Sequence, residues 1–177
     1  MACNLEELTK HYHHIIKHKK EEELKKFKND LISAKKEVTT ELSKYINMCN
    51  TILTNLGNVI SNEFPDDLII STYVKTINNL IIKEPADPIS TFILDIYNVD
   101  EYRTNIIKGN DEFFINTDYA VDKSKSYGEV FAFKSCWKKM NDDMKNYIKK
   151  SMQTLVKVAR QYIEVKYKLD EINKMSI

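Results

Sequence analysis

Between Asn141 and Leu169 the apolar residues fall at Met144, Tyr147, Ile148, Met152, Leu155, Val156, Ala159, Ile163 and Leu169, in steps of mostly three, four or one. This is one stripe on a helix of 3.6 residues per turn, so the spacing predicts a long, half-buried helix. Phe131, Phe133 and Trp137, the only tryptophan, stand just ahead of it. The largest side chains beside the longest helical pattern predict a packed helical hairpin over residues 123–177. A second pattern begins near residue 20. Leu24, Leu31, Val38, Tyr45, Ile52 and Val59 recur every seven residues, with Phe27, Ala34 and Met48 at the companion positions and Leu42, Cys49 and Leu56 widening the stripe. This heptad face predicts one helix from about residue 20 to about residue 61, packed along its length either on the C-terminal helix of the same chain or on another copy. Glu41 and Asn55, at two companion positions, argue against a uniform coiled coil.

The remaining segments read as shorter helices. Leu5, Leu8, Tyr12, Ile15 and Ile16 make residues 4–18 amphipathic, and the charge-dense run from His18 to Lys28 carries Lys19–Glu23 and Glu21–Lys25 pairs suited to an exposed helix. Phe64-Pro65-Asp66-Asp67 ends the long helix, and its two aspartates suit the first turn of the next, residues 67–83. Leu68, Ile69, Tyr73, Ile77, Leu80 and Ile81 are expected to form the buried side there. Asp87 as N-cap with Pro88 behind it opens a helix through Tyr97. Asn98 is expected to cap residues 99–108, and Gly109 to close them. Residues 110–128 are the least regular stretch, pinned by Phe113, Phe114 and Tyr119, and the tail from Asp170 to Ile177 is expected to fray.

Three glycines and three prolines are too few for a sheet protein of this length, which needs turn residues every 8 to 12 positions or so. The expected fold is all-α: a single domain over 1–177, with a long helical arm (1–62), short acidic helices and a loop (63–122) and a basic hairpin (123–177). Cys3, Cys49 and Cys136 are far apart and never in C-x-x-C spacing, which points to reduced thiols in an intracellular compartment. The N-terminus lacks the basic-then-apolar order of a signal peptide, and no apolar run approaches the roughly 18 residues of a membrane span. The abundance of Ile, Asn and Lys reads as codon bias of an AT-rich genome.

Charge is unevenly spread. Residues 1–65 carry ten basic and nine acidic residues, residues 66–122 four and eleven, and residues 123–177 thirteen and six. Either the acidic middle packs beside the basic hairpin, or Lys134, Lys138, Lys139, Lys145, Lys149, Lys150 and Lys157 form a surface open to nucleic acid or an acidic partner. With only Arg103 and Arg160 as arginines, bidentate readout of phosphate or guanine is scarcely available. All four histidines, His11, His13, His14 and His18, lie in the first helix. His14 and His18 have the i, i+4 spacing of a metal pair, but no carboxylate or cysteine is evidently placed to complete a shell, so a solvated polar face is expected and no metal. No glycine-rich phosphate loop, nucleophile elbow, kinase motif set or Cys/His finger is present. No catalytic residue, cofactor or small-molecule substrate is expected.

NDEFFINTDYA at 110–120, followed by FKSCWKKMNDDMKNYIKKSMQTLVKVA at 133–159, resembles an uncharacterised helical family of nucleocytoplasmic large DNA viruses, the giant viruses. Asn116, Asp118, Tyr119 and Trp137 carry the likeness, over about a quarter of the chain. The resemblance implies a virus-encoded protein of host cytoplasm, nucleus or virion, and brings no catalytic residues with it. The expected function is that of a non-enzymatic structural or protein-interaction protein, a virion component or adaptor, using its long helix to bind a partner or itself. The alternative is a nucleic-acid-binding accessory factor using the lysine-rich hairpin.

Overall fold

The computed structural model describes residues 4–18, 21–116 and 136–175, without the side chains of residues 18, 115 and 116. Lys134, Phe131, Phe133, Tyr119 and Asp118 lie outside the described residues. The fold is all-α, with no strand among the described residues. In chain order the helices are α1 (Leu5–His18), α2 (Glu21–Glu63), α3 (Leu68–Lys83), α4 (Asp87–Phe92), a π-helical segment (Ile93–Tyr97), α5 (Asp100–Lys108), α6 (Asp111–Asn116) and α7 (Asp142–Lys174), with a single helical turn at 136–139. They group into two compact units, Met1–Tyr45 with Arg160–Ile177 and Ile46–Ala159, so that α2 and α7 each contribute to both.

In the first unit α1, the start of α2 and the end of α7 share a core. Ala34, Val38 and Leu42 of α2 are buried with Val165 and Ile172 of α7, and Leu5, Leu8, Leu31, Tyr45, Tyr162 and Leu169 close around them. Ile15, Phe27 and Met175 form an adjoining cluster with Tyr12 and Leu24. The heptad face in this unit is thus covered by the chain's own C-terminal helix. The tail does not fray at Asp170: α7 runs on to Lys174, because Ile172 and Met175 are core residues.

The inward positions of α2 also drift from the strict seven-residue repeat. Beyond Val38 the buried residues are Leu42 and Cys49, while Met48 is exposed. Two consecutive steps of four residues, 34 to 38 to 42, give a straight helix the 3.6-residue period that a strict 3.5-residue repeat lacks, so the stripe passes from Glu41 to Leu42.

The second unit is built around aromatic stacking. Phe114 lies flat on Trp137, with centroids 5.1 Å apart and planes 13° apart; Phe113 meets Phe114 edge-on at 5.7 Å and Tyr102 at 5.4 Å. Asp67 is the N-cap of α3, accepting from the Ile69 and Ile70 amides at 3.0 and 3.1 Å. Gly57 lets α3 approach α2, since a Cβ there would stand 3.2 Å from Val74 Cγ2. The N-cap of α4 is Ala86 rather than Asp87, with the proline in the first turn, and that of α5 is Val99 rather than Asn98. Asn98 instead ends the π segment, its amide donating to the Ile93 carbonyl at 3.0 Å. Arg103 takes over this junction, donating to the Tyr97 carbonyl at 2.7 Å, lying 5.2 Å over the Tyr97 ring and pairing with Asp100. Gly109, at φ 65°, closes α5 as expected.

Candidate interaction surfaces

The lysines of the basic region separate into two groups. Lys149 reaches Asp111 of α6 at 3.0 Å, and its neighbour Gln153 donates to the Ile107 carbonyl in the last turn of α5 at 3.1 Å. That amide satisfies one of the carbonyls a helix end leaves without a partner, so α7 is joined to the acidic middle by a cation and a neutral donor one turn apart. Lys145 lies 4.0 Å from Asp142 of its own helix. Lys138, Lys139, Lys150 and Lys157 are exposed and make no ion pair among the described residues.

Of the heptad set, Val38 is buried and Leu24, Leu31, Tyr45, Ile52 and Val59 are half-buried. Tyr45 sits beside Glu41, and partial burial together with that carboxylate raises its phenol above the ordinary range. The first-helix histidines are dispersed. His11 meets the Phe27 ring edge-on at 5.4 Å, His13 lies against Tyr12, and His14 Nε2 stands 3.6 Å from Glu23 Oε2 of α2. Among the described residues no group of three His, Cys, Asp or Glu side chains could hold a metal ion.

The thiols are withdrawn from chemistry. Burial pushes Cys49 up to about 12. Cys136 is raised first by burial and then by the Asp67 carboxylate, whose Oδ2 is 3.9 Å from Sγ, against a smaller opposing pull from Lys139. A thiol held neutral is a poor nucleophile and metal ligand.

Two surfaces went unread in the sequence. One is a shallow polar cleft of about 420 Å³ lined by Asn47, Asn50, Thr51, Thr54 and Asn55 of α2 with Ile81 and Pro85. Asn50 Nδ2 donates to the Pro85 carbonyl at 2.9 Å, while its buried Oδ1 has no hydrogen-bond partner. The i, i+3, i+4, i+7, i+8 spacing of those polar residues was the available signal.

The other surface is the outer side of α3. Its buried side is Ile70, supported by half-buried Val74, Ile77 and Ile81, and not the expected set: Leu68 is 80% exposed, Ile69 47% and Tyr73 53%. Ile82 is 79% exposed. The helix is apolar on two sides, so either could have been read as the core side, and Gly57 against Val74 decides between them. On the outer side Leu68, Thr72, Lys75, Asn79 and Ile82 follow one another in steps of four and three, a continuous seam apolar at both ends.

Among the described residues no helix is long and apolar enough to cross a membrane. Compared with family models, curated proteins and solved structures, the chain matches none.

Proposed function

We propose that this chain is a non-enzymatic structural or protein-interaction protein that works by helix packing, and that α3 rather than α2 is its binding element. The observation that carries this reading is the exposure of Leu68 and Ile82, at 80% and 79%, on a helix whose opposite side is already packed. Large apolar side chains at the two ends of one seam are what a partner helix buries, and desolvating such anchors is where interface energy concentrates. The heptad face is the weaker candidate because Val165 and Ile172 already cover its first half. The likeness of residues 110–120 and 133–159 to a giant-virus family supports a virus-encoded virion component or adaptor acting inside the host cell.

The test is affinity purification from the native source with the full chain and with a Leu68→Glu, Ile82→Glu double variant. A protein recovered in stoichiometric amount with the first and lost with the second is the expected result. Equal recovery from both, or recovery of nucleic acid alone, would sink the proposal. A second reading, a nucleic-acid-binding accessory factor, is favoured by the four exposed lysines that make no ion pair, Lys138, Lys139, Lys150 and Lys157.

A further inference from the structure

The outer seam of α3 is compatible with itself. We infer that its occupant is the α3 helix of a second copy of this chain, packed antiparallel about a two-fold axis near Lys75, an inference that rests on the interaction reading above and names its partner. A two-fold contact requires that when residue i meets residue j, j also meets i. Positions 68 and 82 are equidistant from 75, so in an antiparallel pair Leu68 of each copy meets Ile82 of the other. Thr72 then lies against Asn79, a hydroxyl and an amide able to hydrogen-bond, and this happens twice. Leu68 and Ile82 are about 21 Å apart along the axis, so only a shallow crossing, near 20°, keeps both ends in contact.

Charge selects the direction. Exposed Asp66 lies just ahead of the helix N-terminus and exposed Lys83 is its last residue. Antiparallel packing brings each Asp66 toward the other copy's Lys83, whereas parallel packing would set Asp66 on Asp66 and Lys83 on Lys83. Covering the seam and its exposed neighbours Ile69, Thr76 and Lys83 would bury on the order of 800 Å² per copy, the extent of a standard specific interface. Lys75 is the opposing feature. It falls on the axis, where it meets its own copy at a like-charge contact that holds the affinity down.

Equilibrium sedimentation of the full chain over a wide concentration range tests the pairing. The expected result is a reversible dimer. Leu68→Glu with Ile82→Glu should weaken it by about 100-fold, tenfold for each anchor lost, with circular dichroism unchanged because both side chains are exposed. Lys75→Leu should tighten it by about tenfold. Register is read by cross-linking in a Cys3→Ser background: an oxidised mixture of Leu68→Cys chains and Ile82→Cys chains should form disulfide dimers faster than either alone. A chain monomeric at every concentration even with Lys75→Leu, a dimer indifferent to the glutamates, or single variants cross-linking as fast as the mixture would each overturn the inference. If the chain is monomeric but a different protein from the native source is lost with the double variant, self-pairing fails and the interaction function stands. If neither a dimer nor a captured protein depends on Leu68 and Ile82, both fail.

Discussion

Cys49 has no exposed surface, and burial alone moves its thiol from 9.0 to about 12. Between those two values the unfolded chain releases a proton that the folded chain keeps, so the folded state loses stability as pH rises above 9. The contribution is fully present at neutral pH and wanes only on the alkaline side. Replacing the thiol isolates the effect, since Cys49→Ala has no group to titrate. At pH 7 the variant should be less stable than the natural chain by about 1 kcal/mol, the usual scale for one substitution. That gap should narrow by up to about 1.4 kcal/mol per pH unit above 9. Urea unfolding midpoints at pH 7, 9 and 10 measure it, and a gap that stays constant across that range contradicts the burial of an intact thiol. Asn50, the next residue, shows the other side of burial. One end of its amide holds the Pro85 carbonyl while Oδ1 goes without a partner, a cost accepted where α2 meets the turn after α3.

Along α2 the energetic weight follows the drifted stripe rather than the heptad letters. Leu42→Ala should cost roughly 2 to 5 kcal/mol, because Leu42 is buried with Val38 and Val165, whereas Ile32→Ala, at a side chain 67% exposed, should change stability by about 0.5 kcal/mol or less. Thermal or denaturant unfolding of the pair decides it, and similar losses at both positions would refute the assigned face. The existence and ends of the longer helices were legible because caps and periodicity are local. Asp67 as a cap, Gly109 as a left-handed stop and the span of α2 all follow from residues within one turn. Faces were less legible. On α3, leucine, isoleucine and tyrosine occur round the whole circumference, so periodicity cannot tell the packed side from the outer one. That choice was made 17 residues earlier, at Gly57. The end of α7 was misread for a similar reason: Ile172 and Met175 look like a polar tail's stray apolar residues until Phe27 and Ile15 are brought beside them. The π segment left no local signal at all, its geometry being supported by Arg103 from the next helix. The candidate site, the outer seam of α3, was visible as apolar residues but assigned to the core.

At the scale of the whole molecule the question is what the charge asymmetry is for. The acidic middle and the basic C-terminal region are joined within one unit by Lys149 and Asp111, and Lys145 is engaged locally by Asp142. Of the lysines first considered for a nucleic-acid surface, Lys138, Lys139, Lys150 and Lys157 are exposed without such partners, and Lys134 lies outside the described residues. Each phosphate neutralised on duplex DNA lowers log K by about 0.9 per unit of log salt, so four lysines set a ceiling near 3.6 for the slope. Lysine makes point contacts without bidentate geometry, and affinity should stay in the weak non-specific range of about 10⁻⁴ to 10⁻⁶ M at physiological salt. Fluorescence anisotropy with a labelled duplex across a salt series is the measurement. Lys150→Ala should lower the slope by about one unit if Lys150 touches a phosphate, while Lys149→Ala should leave it unchanged, since that ammonium is held by Asp111. Submicromolar binding with a slope of about four or more would require cations beyond those four, and would make nucleic acid, rather than a second helix, the primary partner of this chain.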